Sequence, residues 1–247
     1  MNEKNLAIFL SLLAGFSTMI GSLFMFMGKK DKKNALSFTF SFSFIIILFI
    51  CIFDLAPSSY KYLILSYDYP FIMVFVLIIV GIVIGKLIGK IEVKNKKYDK
   101  KLYKLGITTF IILLLHNMPE GIITFMTSYE NLSLGVMMTL VIAMHNIPEG
   151  IMVSMPIYYS TGSKLKGFLY SFASGIAEPI GAIMACLFLS NIITNGIIGI
   201  ILAIVCGMML YITIEDIYPI MKSSNGCSKI LGIIVAIFIM LLTHFLH

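Results

Sequence analysis

The sequence predicts an all-α polytopic membrane protein with eight transmembrane helices, and three observations predict it. Of its 247 residues, 59% are apolar and only 12% charged, whereas a soluble domain carries about 25% charged residues. Eight runs are close to the about 20 mostly apolar residues that a spanning helix needs, and little sequence lies between them. Every basic residue is Lys, and all of the eighteen except Lys4 and Lys61 lie in or beside the connections after helices 1, 3, 5 and 7. That asymmetry makes those connections cytoplasmic and both termini extracytoplasmic. We therefore expect one transmembrane domain over residues 1–247.

Helix 1, about 6–28, is too long for a secretory signal, has no small-x-small cleavage site after it, and stops at Lys29 and Lys30, so it is expected to be retained. Helix 2, about 35–57, ends on Asp54-Leu55-Ala56-Pro57. Helix 3, about 70–90, carries Gly81, Gly85 and Gly89 on a close-packing face. A Lys-rich cytoplasmic loop, 91–104, follows; its Lys94, Lys96, Lys97, Lys100, Lys101 and Lys104 suit anionic headgroups better than nucleic acid.

Helices 4 and 5, about 105–127 and 132–157, are joined by only a few residues and are expected to be antiparallel neighbours. Helices 6, 7 and 8 fall at about 164–190, 195–219 and 228–246. Cys51, Cys186 and Cys206 lie in spans and Cys227 in a cytoplasmic connection, so no extracellular disulfide is expected.

Two internal repeats organise the chain. His116-Asn117-Met118-Pro119-Glu120-Gly121-Ile122 on helix 4 recurs as His145-Asn146-Ile147-Pro148-Glu149-Gly150-Ile151 on helix 5, each copy near the middle of its span. A weaker repeat pairs Ala14–Gly21 of helix 1 with Ser174–Gly181 of helix 6, and Asp54-Leu55-Ala56-Pro57 with Asp216-Ile217-Tyr218-Pro219 of helix 7. An odd number of spans separates these copies, so helices 1–3 and 6–8 run oppositely: a 3+2+3 arrangement with an inverted repeat around helices 4 and 5.

The motifs carry the chemistry. At about 100° per residue, Glu120 lies angularly between His116 and Asn117, and Glu149 between His145 and Asn146. Two facing helices thus offer imidazole, amide and carboxylate donors with no thiolate, a set suited to Zn²⁺, Fe²⁺, Mn²⁺ or Co²⁺ rather than Cu⁺, Mg²⁺ or Ca²⁺. Pro119 and Pro148 free the carbonyls of Leu115 and Met144 at membrane depth.

An ionisable group there costs about 2.5–3.5 kcal/mol on insertion scales, yet Glu120, Glu149 and Glu178 lie deep in spans, with Asp54, Glu215 and Asp216 nearer span ends. Glu178, in the glycine-flanked Ala177-Glu178-Pro179, is expected to approach the pair. Asp54 is expected near the outer mouth and Asp216 near the inner one.

His116-Asn-Met-Pro-Glu-Gly, His145-Asn-Ile-Pro-Glu-Gly, Ser-Gly-Ile-Ala-Glu178-Pro and Gly207-Met-Met-Leu-Tyr with Glu215-Asp216 resemble the ZIP (Zrt/Irt-like) metal transporters, most closely their bacterial zinc-uptake branch. The resemblance spans essentially the whole chain. It implies eight helices, termini outside, residence in the plasma (inner) membrane of a prokaryote, a homodimer, and import of Zn²⁺ and other divalent ions into the cytoplasm. It also implies a binuclear site of His116, Asn117, Glu120, His145, Asn146, Glu149 and Glu178; Asp54, Glu215 and Asp216 are, from their own places in the spans, expected along the pathway. Two departures stand out: Lys residues replace the His-rich loop many members carry between helices 3 and 4, and Ile45-Ile46-Ile47 stands where members often carry Gly and Met.

The expected activity is secondary transport of Zn²⁺, Fe²⁺, Mn²⁺, Co²⁺ or Cd²⁺ as substrate, with no prosthetic group, the inverted repeats moving against the helix 4–5 pair. No phosphate-binding Gly-x-x-x-x-Gly-Lys-Ser/Thr loop is present, so no nucleotide is expected. The alternatives are an intramembrane zinc-dependent hydrolase, against which the lack of His-Glu-x-x-His speaks, and a metal-binding receptor without flux.

Overall fold

The computed structural model describes residues 2–27, 32–91, 98–189, 194–224 and 226–246. Lys29, Lys30 and the centre of the Lys-rich loop, with Lys94, Lys96 and Lys97, lie outside the described residues. Among the described residues the chain is helical with no strand. The spans are α1 (Glu3–Phe26), α2 (Lys32–Leu63), α3 (Pro70–Gly89), α4 (Lys100–Glu130), α5 (Leu132–Thr161), α6 (Lys164–Phe188) and α7 (Asn195–Ser223), each long and apolar enough to cross a membrane. A last helix, α8, covers Cys227–Leu246. This is a multi-pass membrane protein.

Caps fix where the motif helices begin and end. Asp99 accepts the Leu102 amide at 3.3 Å to start α4. Asn131 separates α4 from α5, its Oδ1 accepting the Ser133 and Leu134 amides at 3.0 and 3.2 Å. Gly162, at φ 72°, closes α5 in the left-handed conformation that a side chain would disfavour. α4 begins at Lys100 rather than at 105, because Lys100, Lys101 and Lys104 keep helical backbone while their long stems carry the charge to the interface.

α2 also outruns expectation. It passes through Pro57 to Leu63 by widening into a π turn at Cys51–Leu55, where the Ala56 amide reaches the Cys51 carbonyl. α7 does the same at Ile212–Ile217, where the Tyr218 amide reaches Thr213 before Pro219. Proline cannot donate to the carbonyl four residues back, and a wider turn accommodates the loss.

Packing sorts the helices into two bodies, α1 with α4, α5 and α6, and α2 with α3, α7 and α8. Glycines weld the first body. A Cβ on Gly121 would overlap the Glu178 carbonyl, and one on Gly181 the Met118 carbonyl; a Cβ on Gly150 would overlap the Thr18 carbonyl, and one on Gly21 that of Ile147. Gly15 and Gly175 each stand against the other's carbonyl. These contacts come in pairs: whatever α6 does to α4, α1 does to α5 at the matching position. They place α1 and α6 backbone to backbone with the motif helices.

Candidate metal centre

The two motif helices, set antiparallel by the Asn131 turn, bring their polar residues together. His116 Nε2 lies 3.2 Å from Glu120 Oε1 of its own helix and 3.2 Å from Glu149 Oε1 of the other. Glu120 Oε1 is also 3.0 Å from His145 Nε2, so this carboxylate stands between the two imidazoles. His116, Glu120 and His145 each offer a ligand atom, all within 4.8 Å of one another. Donors at about 2.0–2.1 Å from a tetrahedral Zn²⁺ are separated by about 3.3 Å, close to the spacings present.

The amides and Glu178 form an adjoining layer. Asn117 Nδ2 donates to the Ser174 carbonyl of α6 at 3.1 Å, and Asn146 Nδ2 to the Ala14 carbonyl of α1 at 3.1 Å. Asn146 Nδ2 also donates to Glu178 Oε2 at 2.8 Å, which brings the α6 carboxylate to the motif pair. Each amide is turned by its N–H bonds so that its oxygen is left over.

The oxygens left over at the motif pair are those of carboxylates and amides. The side-chain oxygens Asn117 Oδ1, Glu120 Oε2, Asn146 Oδ1, Glu149 Oε2 and Glu178 Oε1 are buried without a hydrogen-bond partner. Buried polar atoms normally find partners, and leaving this many carboxylate and amide lone pairs bare is costly. A cation would satisfy them together.

A cavity of about 670 Å³ reaches Glu120 from the lysine-poor end of the molecule. Asp54, Leu55, Ser58 and Lys61 of α2 line it, with Ile123 of α4, Met138 of α5 and Leu202 of α7. Ser58 Oγ donates to Asp54 Oδ1 at 3.2 Å. Toward the lysine-rich end, Phe40, Ser43, Leu105, Thr109, Met152 and Ile217 surround a gap with no room for a water molecule. Four of these are repeat partners of the open cavity's lining: Phe40 of Leu202, Thr109 of Met138, Met152 of Ile123 and Ile217 of Leu55.

Seven of the sequence-predicted residues thus lie at the motif pair, and Asp54 lies on the cavity wall. Glu215 is exposed and Asp216 half-buried on the opposite half of α7, away from the cluster. Sequence reasoning missed Ser58 and Lys61 as cavity residues and the Ala14 and Ser174 carbonyls as amide anchors. The last two were signalled, since they open the matched segments of the weaker repeat.

Comparison with known proteins agrees with this architecture. The family model described as ZIP Zinc transporter matches residues 89–244. The zinc transporter ZupT of Oceanobacillus iheyensis is 36% identical, with 89% of each chain covered. ZupT of Clostridium perfringens is 34% identical over 89% of this chain and 87% of its own, and ZupT of Campylobacter jejuni 32% over 96% and 95%. Membership extends beyond the matched motifs to nearly the full chain: this protein belongs to the ZIP family of zinc transporters.

Proposed function

We propose that this chain imports divalent transition-metal ions, Zn²⁺ first and Fe²⁺, Mn²⁺, Co²⁺ or Cd²⁺ besides, through the cluster on α4, α5 and α6. The observation that carries the reading is the group of buried, unpartnered acceptor atoms at the closed end of an open cavity. His116, Glu120, His145 and Glu149 hold the ion in the first layer; Asn117, Asn146 and Glu178 hold it, or a second ion, in the adjoining one. The family is one of transporters, so the chain is not a hydrolase.

Orientation follows from charge, and the inward direction from the resemblance to the family. With the lysine-rich face in the cytoplasm and both termini outside, the cavity opens outward and Asp54 meets the ion first. The ion then exchanges water for carboxylate and imidazole at Glu120. Release on the other side needs the lining from Phe40 to Ile217 to part, with Asp216 beyond it. The paired glycine contacts and the matched open and closed linings support an inverted repeat in which one half's opening is the other half's closure. The welded first body then moves against α2, α3, α7 and α8. The resemblance to the family further supports a plasma-membrane homodimer.

The test is uptake by purified protein in liposomes loaded with a Zn²⁺-sensitive dye, comparing wild type with Glu120→Ala, Glu149→Ala and His116→Ala. Saturable flux that the substitutions abolish or retune is expected. Tight binding without flux in the wild type would make the chain a receptor instead.

A further inference from the structure

Among the described residues, three charged side chains line the open cavity, and one of them has the wrong sign for a cation path. Asp54 and Glu120 are acidic; Lys61 is not. Lys61 and Lys4 are the two lysines that stand apart from the lysine-rich face. Lys61 lies seven residues after Asp54, two helical turns on the same side of α2, with Ser58 between them bonded to Asp54. Among the described residues Lys61 forms no ion pair, so no carboxylate neutralises it.

We propose that Lys61 sets the affinity with which the cavity captures cations: its ammonium opposes the approach of an ion to Asp54 and so weakens capture from solution. The proposal rests on the import reading above. Asp54 and Ser58 together make a small oxygen site on the cavity wall; an uncompensated positive charge two turns away weakens it for every cation and twice as much for a divalent as for a monovalent one. About 10 Å of helix separates the two residues. At that distance, in water-like surroundings and about 10 mM salt, one unit of charge changes the capture of a divalent ion about threefold.

The experiment is Zn²⁺ uptake into dye-loaded liposomes by wild type, Lys61→Arg, Lys61→Gln and Lys61→Glu, at about 10 mM and about 300 mM choline chloride. At low salt KM is expected to fall about threefold for Gln and about ninefold for Glu, to stay at the wild-type value for Arg, and to move more than the maximal rate does. At high salt the ladder should collapse to within about a factor of 1.5, because the screening length becomes shorter than the separation. A merely structural lysine would give neither the charge ladder nor its loss in salt. Equal KM values across the series at low salt, or an Arg variant that behaves like Gln, overturn the proposal. Should Lys61→Glu not fold, Lys61→Gln against Lys61→Arg carries the same test. Absence of flux in the wild type would sink the import reading itself, a result distinct from a flat series on an active transporter.

Discussion

Glu120→Gln should weaken metal binding more than Glu149→Gln, although the two positions are repeat partners. Glu120 Oε1 touches both imidazoles, at 3.2 and 3.0 Å, whereas Glu149 Oε1 touches only His116, at 3.2 Å. Removing one partner from a buried charged pair costs about 3–5 kcal/mol, and each 1.4 kcal/mol is about tenfold in affinity. Loss of the Glu120 charge should therefore reduce Zn²⁺ affinity by about two to four orders of magnitude, with Glu149→Gln at the lower end of that range or below it. The assay is calorimetric titration of the detergent-solubilised protein with Zn²⁺, backed by competition with a chromophoric chelator for the tight wild-type complex. A Glu120→Gln protein that binds within tenfold of wild type, or more tightly than Glu149→Gln, would refute the placement of this carboxylate between the imidazoles.

Other consequences follow from the same geometry. Asn146→Ala frees Glu178 from its 2.8 Å hydrogen bond and should lower metal affinity about 10- to 100-fold, the usual cost of losing a group that orients a ligand; the same titration reads it, and an unchanged affinity would detach Asn146 and Glu178 from the site. Gly121→Ala and Gly150→Ala place a methyl on the carbonyls of Glu178 and Thr18 and should cost about 1–3 kcal/mol or more, seen as a lowered Tm in detergent; unchanged melting would mean that the helices are not in backbone contact. In intact cells, Met138→Cys should react with an impermeant maleimide added outside, while Thr109→Cys, its repeat partner beside the closed gap, should stay protected; equal labelling would contradict the one-sided cavity.

The spans and the clustering of the motif side chains were legible because both are written in residue type. Twenty apolar residues have few alternatives to crossing a bilayer, and an identical His-Asn-x-Pro-Glu-Gly in two of them cannot be packing. Helix ends were less legible, since Lys100 to Lys104 read as loop by hydropathy yet stay helical when their charges reach the interface. The π turns were hidden: Pro57 and Pro219 announce a lost hydrogen bond, but widening rather than ending is decided by the neighbours of α2 and α7. The two bodies were hidden as well. Gly121 and Gly150 marked close approach, yet only the fold says that α6 and α1 are what approaches. Nor can a sequence whose halves encode both linings say which of them stands open.

That one lining is open and the other closed also decides where the membrane voltage acts. In the proposed orientation, conducting water in the cavity would bring the outside potential down to Glu120, so that most of the field would fall across the packed layer of Phe40, Leu105, Met152 and Ile217. An arriving ion then does little electrical work, and the step that carries it past this layer does nearly all of it. For two charges that work is about 4.6 kcal/mol per 100 mV, directed inward in a cell whose interior is negative. Binding from outside should accordingly be almost insensitive to voltage and turnover steeply sensitive, a division that liposomes clamped with a potassium gradient and valinomycin can measure.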